Sequence, residues 1–290
     1  MKAAVTAIKF FQAFADTGFR GKLTAKFFSG LLKLIHPRKK IIEENLKLVY
    51  PDSSEKWREE MRSKVYENLA WTLTETLVLQ HDNSQAQKWI KNVKGVDIIN
   101  ELIAEKKGAL ILTGHIGNWE LAGNWVAQYA INHGHELHVI YQEMHDTDIS
   151  NYVLKTRECG GMRMLDKNFS LMKIVHMLKN GAHVALLNDV SGMKEMIVPF
   201  MGHDATNMTG AAVMAMLSGV PVIPFGSYRI SPFEHEGEFF EPLNLPSKDE
   251  NINREERVRL IVLEMNKALE KIIRARPEQW FWLHNRWKKR

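Results

Sequence analysis

His115 is followed five residues later by Glu120 in the segment GHIGNWE (114–120), directly after the apolar run ALILT (109–113). On one continuous helix these side chains would stand about 140° apart and could not share a face. They converge if His115 lies in a strand-to-helix turn and Glu120 in the first turn of the helix. Gly114 and Gly117 permit such a turn, and Asn118 suits the N-cap. A carboxylate beside an imidazole fixes its tautomer and stabilises its cation, which makes the histidine a competent general base. The N–H groups at the helix start offer a place for an anion or a developing oxyanion. The plainer alternative is a surface turn with an incidental histidine, one of 12 in the chain.

The elements that would position such a site follow from periodicity. Residues 55–80 have helical spacing, with Ser53 or Ser54 as N-cap. From residue 109 onward, short apolar runs alternate with helical stretches. Strands are predicted at 109–113, 138–141, 162–165, 183–187 and 220–225, and helices at 119–132, 148–158, 170–179, 209–218 and 254–275. Near-continuous apolar strands between helices predict an α/β fold, with a central, mostly parallel sheet flanked by helices. No repeat or Gly/Ser-rich linker divides the chain. The economical organisation is a basic helical N-terminal extension over 1–40 and one catalytic domain over 41–290. In open α/β sheets ligands bind beyond the carboxyl ends of the strands. Those positions carry His115 and its neighbours, then Asn188 and Asp189, then Ser227, Tyr228 and Arg229.

The net charge of +5 over 290 residues is unevenly placed. Residues 1–42 hold nine Lys/Arg against Asp16 alone, and residues 271–290 hold seven against Glu278 alone, so the middle is acidic. A nucleic-acid binder would spread its basic surface over the folded body, and no stacking platform is interleaved with cations here. The first segment spaces Phe10, Phe11 and Phe14, and then Phe27, Phe28, Leu31, Leu32 and Ile35, among lysines that include Lys26. This describes amphipathic basic helices that lie on an anionic membrane surface, or else dock on the protein's own core. Trp282 and Trp287 beside C-terminal cations favour the membrane reading, because indoles suit the membrane–water interface. No apolar run is long enough to span a bilayer.

Other chemistries find little support. The single Cys159 can form no internal disulfide, which fits a reducing compartment, and there is no CxxC, G-x-S-x-G, G-x-G-x-x-G or Walker sequence. His133, His135 and His138 lack acidic ligands at diagnostic spacing and read as a solvated loop, so neither metal nor cofactor is expected. Around the helix at 209–218, Met193, Met196, Met201, Met208, Met214 and Met216 could line an adaptable apolar tunnel or simply fill the core.

The segment LTGHIGNWELAG, with its H-x4-E, resembles the signature of the lipid A late acyltransferases, members of the lysophospholipid acyltransferase superfamily. NLKLVYP (45–51), the block 198–229 and RPEQWFWLHNRWK (276–288) resemble further blocks of that family in the same order. The resemblance covers the chain from about residue 40. It implies transfer of a fatty acyl group, from acyl carrier protein, to a hydroxyl of a membrane glycolipid at the cytoplasmic face of the inner membrane. His115 would be the general base and Glu120 would orient it, with no acyl-enzyme. Asn118, Arg157, Asp189, Thr209 and Arg229 are the candidate substrate-binding residues, although ordinary surface pairing is an equal alternative for the two arginines. The chain departs from the family pattern at Gln142 and Val190, where Arg and Gln are usual, which leaves room for a relaxed or different acceptor. Another glycolipid acceptor, such as a phosphatidylinositol mannoside, and a non-catalytic anionic-membrane-binding protein are the competing readings.

Overall fold

The structure is a computed structural model that describes residues 2–141, 147–191, 196–247 and 251–288. Gln142, Met193, Lys289 and Arg290 lie outside these. Four helices come first, α1 (Lys2–Phe14), α2 (Phe19–Ile35), α3 (Lys39–Val49) and α4 (Glu55–His81). The short α5 (Gln85–Trp89) leads to β1 (Ile90–Lys94) and α6 (Val96–Ala104). The alternating part follows as β2 (Ala109–Thr113), α7 (Trp119–Asn132), β3 (Leu137–Tyr141), α8 (Thr147–Cys159), β4 (Met162–Asp166), α9 (Leu171–Lys179) and β5 (His183–Leu187). A hairpin of β6 (Met196–Phe200) and β7 (His203–Asn207) precedes α10 (Gly210–Ser218), β8 (Val222–Ser231), β9 (Glu234–Phe239) and α11 (Arg254–Ala275).

The main sheet has the order β1-β9-β8-β2-β5-β3-β4, and every pairing is parallel except β8 with β9. The expected α/β architecture is therefore present. Alternation along each central strand splits the core into two layers. Leu110, Leu112, Val184 and Leu186 pack with α9, α10 and α11, whereas Ile111, Ala185 and Val139 face α7. The chain leaves β2 toward β3 and leaves β5 toward β8, on opposite sides of β2. The carboxyl ends of β2 and β5 thus form a switch-point crevice.

Three features differ from the sequence expectation. β8 continues past Phe225 to Ser231, so Ser227, Tyr228 and Arg229 lie on a strand rather than in a loop beyond one. β1 and β9 were hidden because IKNVK and EHEGEF are too polar to read as apolar runs. His138 belongs to β3 and is half-buried, and His135 stacks on buried His183 at 5.5 Å, so only His133 is an exposed loop residue.

The N-terminal helices are not a separate appendage. α2 buries Gly21, Thr24 and Ala25 at its packing face with α4. The Tyr152 hydroxyl lies 2.6 Å from Gln12 Oε1 of α1 and 2.9 Å from Gln80 Oε1 of α4. The opposite face of α2 is different, because Phe19, Leu23, Phe27, Leu31, Leu34 and Ile35 are exposed. At the other end Trp282 is fully buried, and Trp287 is half-buried with its Nε1–H on the Phe200 carbonyl (3.1 Å). These two tryptophans are core, not membrane-contact, residues.

A buried polar knot joins α4 to the outer strands. Glu75, wholly inaccessible, accepts from Arg229 Nε (2.9 Å) and Nη2 (2.7 Å), His235 Nε2 (3.0 Å), Asn118 Nδ2 (3.1 Å) and the Phe233 N–H (3.2 Å). Burial opposes ionisation of Glu75, but Arg229 and His235 outweigh it and hold the carboxyl far below its ordinary range. Removing a partner from a buried, hydrogen-bonded ion pair costs about 3–5 kcal/mol. Glu75→Ala should lower the unfolding free energy by that amount, read as a lower urea midpoint at unchanged m-value, and an unaltered midpoint would deny the knot its structural role.

Candidate active site

The turn after β2 is shaped by its glycines and tied down from three directions. Gly117 has φ +59°, and a Cβ there would come within 2.3 Å of the Ser227 carbonyl oxygen, so no side chain fits. Its N–H donates to the Gln279 carbonyl (3.0 Å) and its carbonyl accepts from Thr72 Oγ1 (2.8 Å). The Phe281 N–H donates to the His115 carbonyl (2.9 Å). Asn118 is the N-cap of α7, accepting the Leu121 N–H (3.1 Å) while Glu75 holds its amide. It is fully buried, and its role is to fix the helix start rather than to touch a substrate.

The partner of His115 is Asp189, directly beyond β5, and not Glu120. His115 Nδ1–H donates to Asp189 Oδ1 (2.8 Å), while Asp189 Oδ2 accepts the His115 backbone N–H (2.8 Å) and Trp280 Nε1–H (2.7 Å). Asp189 is buried, with 3% of its side chain exposed, whereas His115 keeps 27%. Nε2 is thereby left as the basic atom, beside the rings of Trp119 and Phe281 at 5.1 and 6.1 Å. Burial opposes the imidazolium, but the charge and hydrogen bond of Asp189, with the field of Glu120, hold the His115 pKa above its ordinary value. Burial alone would also raise Asp189; His115 and the bonds it accepts bring it down to about 2. This is a carboxylate–imidazole pair with an accessible nitrogen, the arrangement of a general base.

Glu120 takes a bidentate ion pair with Arg157 of α8, at 2.9 Å from Nε and 2.6 Å from Nη2, and accepts Trp119 Nε1–H (3.2 Å). Burial opposes its ionisation, and Arg157 outweighs that. It acts on His115 only through its field. Arg229 is likewise no rim residue, since its side chain is only 8% exposed and lies on Glu75 with a further bond to Asn68 Oδ1. Thr209 stands at the N-cap of α10.

Sequence alone assigns no role in the site to Glu75, Trp280 or His284. Glu75 had a signal, since an acid on the inward face of a predicted helix needs a buried partner. His284 Nε2 accepts the Ser191 N–H (2.9 Å), which steadies the loop bearing Asp189, and burial brings its pKa down to about 4 so that it stays neutral.

Beside His115 a narrow slot opens between α7 and the sheet. Its cavity volume is about 40 Å³ and, apart from Glu120, Arg157 and Thr113, it is lined by apolar side chains. Among the described residues, the methionines around α10 do not line it, and Met201 and Met214 are core residues on the opposite face of the sheet. A second, shallow cleft lined by Val49–Ser54 and Trp57 holds neither His115 nor Asp189.

Residues 14–289 match the family described as bacterial lipid A biosynthesis acyltransferase. The chain is 28% identical over 263 residues to a lipid A biosynthesis lauroyltransferase of Escherichia coli (strain K12), covering 89% of this chain and 82% of that protein. It is also 28% identical over 262 residues to a lipid A biosynthesis palmitoleoyltransferase of the same organism, covering 87% and 79%. A lipid A biosynthesis acyltransferase of Haemophilus influenzae is 21% identical over 274 residues, covering 93% and 82%. With its H-x4-E turn, parallel sheet and nearly whole-length match, the chain belongs to the bacterial lipid A biosynthesis acyltransferase family.

Proposed function

We propose that the protein transfers a fatty acyl group from an acyl carrier protein thioester to a hydroxyl of a lipid A precursor, at the cytoplasmic face of the inner membrane. The observation that carries this reading is the Asp189–His115 pair with its Nε2 available at the mouth of an apolar slot. Nε2 removes the acceptor's proton as its oxygen attacks the thioester carbonyl. The tetrahedral intermediate then expels the thiolate, which takes the proton back from the imidazolium. The first-turn N–H groups of α7 other than that of Leu121, which Asn118 caps, are the donors this reading assigns to the oxyanion. Glu120 and Arg157 neutralise one another at the slot mouth and keep the imidazole in a fixed field. The acceptor's own contacts fall to other groups than Arg229, whose charge is spent on Glu75.

Membrane attachment belongs to the same reading. No helix among the described residues is long and apolar enough to cross a membrane. The outward face of α2, with Phe27 51% and Leu34 79% exposed and with Lys22, Lys26 and Lys33 on the same helix, instead suits an in-plane interfacial helix. Phe10 of α1 is 65% exposed, while Phe11 packs on Phe27 and Phe28 (5.7 and 4.9 Å) and Phe14 is half-buried beneath Arg20.

Three outcomes test the reading. With a purified lipid A precursor and acyl carrier protein thioesters, mass spectrometry should find one acyl group added, and His115→Ala should lower turnover by roughly 10²-fold or more while its thermal unfolding stays near wild type. Retained activity would remove His115 from the mechanism. Since only neutral His115 is a base, kcat/KM should fall with acid through an apparent pKa above the ordinary imidazole value. Asp189→Asn, which removes the main support of the imidazolium against burial, should move that limb to lower pH while reducing the plateau; a limb that stays put assigns it to another group. Finally, Phe27→Asp with Leu34→Asp should weaken co-sedimentation with phosphatidylglycerol vesicles, and wild-type binding should decline with salt. Equal recovery of both proteins would exclude α2 as the contact.

A further inference from the structure

We propose that Trp280 is a positioning residue of the catalytic pair: by giving its indole N–H to Asp189 it limits the hold of that carboxylate on the His115 proton and keeps the imidazole in its neutral, working form. The inference rests on the acyltransferase reading and adds to it what sets the strength of the base. The two oxygens of Asp189 have different tasks. Oδ1 accepts the His115 Nδ1–H (2.8 Å), whereas Oδ2 accepts the His115 backbone N–H (2.8 Å) and the Trp280 Nε1–H (2.7 Å). Hydrogen bonds to one oxygen of a carboxylate draw its charge there, so the donors on Oδ2 reduce the charge that Oδ1 turns toward the imidazole. Without them Asp189 would hold the imidazolium too well, and a general base acts only once that proton has gone. Of the two donors on Oδ2, the indole is the one that a side-chain change can remove.

The surroundings hold the indole to this contact. Trp280 is buried, with its ring 4.6 Å from that of Trp282, 5.9 Å from Phe200 and 6.1 Å from Trp287. Its backbone bridges to Ile116 of the catalytic turn. Buried Asn45 of α3 clamps the same segment, donating from Nδ2 to the carbonyls of Trp282 (3.0 Å) and His284 (2.8 Å). Gly114 gives the carboxylate its room, since a Cβ there would lie 3.1 Å from Asp189 Oδ2. A buried indole N–H needs an acceptor, and a backbone carbonyl is enough for the other two tryptophans of the segment. Trp282 donates to Pro277 (2.7 Å) and Trp287 to Phe200 (3.1 Å). Trp280 alone among these three donates to a charged oxygen, that of the partner of the base. The other charges around the pair are Glu120 of α7, which favours the imidazolium, and Arg157 of α8, which opposes it. Arg286 acts on Asp189 through its field, and Arg38 faces the neutral His284. No printed bond ties any of these to the indole N–H, so replacing that group removes one interaction and leaves the charges in place.

Two readouts test this, the acid limb of kcat/KM and the titration of the His115 ring followed by NMR. Replacing Trp280 with 3-benzothienylalanine keeps the fused rings and exchanges the N–H for sulfur, and Trp280→Phe is the encoded variant. In both proteins the limb and the titration should move to higher pH by roughly one unit, which lowers kcat/KM about tenfold on the acid side. The direction is opposite to that expected of Asp189→Asn, and a loss of packing does not strengthen the hold of a carboxylate on a proton. Should Trp280→Phe fold poorly, the benzothienyl protein retains the shape and carries the test. A limb or a titration that stays put in that protein, or moves to lower pH, would overturn the proposal. An upward titration where even the wild type transfers no acyl group would sustain the tie between Trp280 and His115 and instead refute the acyltransferase reading.

Discussion

The carboxylate of Asp189 is buried where an anion is costly, and the site is built by the three donors that satisfy it. Two come from His115, through its backbone and its ring, and the third comes from the indole of Trp280. Each donor lies on a different part of the chain from Asp189. The turn after β2, the end of β5 and the C-terminal segment must therefore meet for the charge to be tolerated. The C-terminal segment is held in turn by Asn45 Nδ2, which donates to the carbonyls of Trp282 and His284, and by Gln279, whose amide bonds the backbone of Arg229 at both ends. Catalytic geometry and tertiary closure are thus one constraint.

The Glu75 knot extends this from the opposite side. It fixes Asn118 at the start of α7, and Asn118 fixes the direction in which the helix leaves the turn. α4 carries Thr72 onto Gly117 and Glu75 onto Arg229, so one long helix outside the sheet reaches both the catalytic turn and the outer strands. A general base gains from such rigidity, because a proton transfer is sensitive to small errors in donor–acceptor distance.

Much of this was legible in the residues. The central strands β2 and β5 are apolar because both faces are covered, and their bounds agree with the predicted 109–113 and 183–187. The turn chemistry of Gly114, Gly117 and Asn118 located His115 correctly after β2. The partner was misread because Glu120 is near in sequence, whereas Asp189 is 74 residues away and becomes a neighbour only through the parallel pairing of β2 with β5. The aromatic C-terminus misled for a similar reason. Tryptophans beside cations suit a membrane interface and a core scaffold equally, and only the contacts of Trp282 and Trp287 distinguish them. Periodicity in α2 showed an apolar face but not that the helix has two, a small-residue face for α4 and a large-residue face left outward.

The two margins of the main sheet bear on how copies of the protein coexist. Among the described residues β1 and β4 each pair with one strand only, on one side, and so stand at the edges of the sheet. An outer strand of this kind is a template for strand addition by another molecule, and charge is one of the means that blunts it. β1 carries Lys91 and Lys94, and β4 carries Arg163 and Asp166. A second copy approaching edge to edge would have to desolvate these groups before any ladder formed. The same polarity that concealed β1 from periodicity therefore guards the sheet against aggregation.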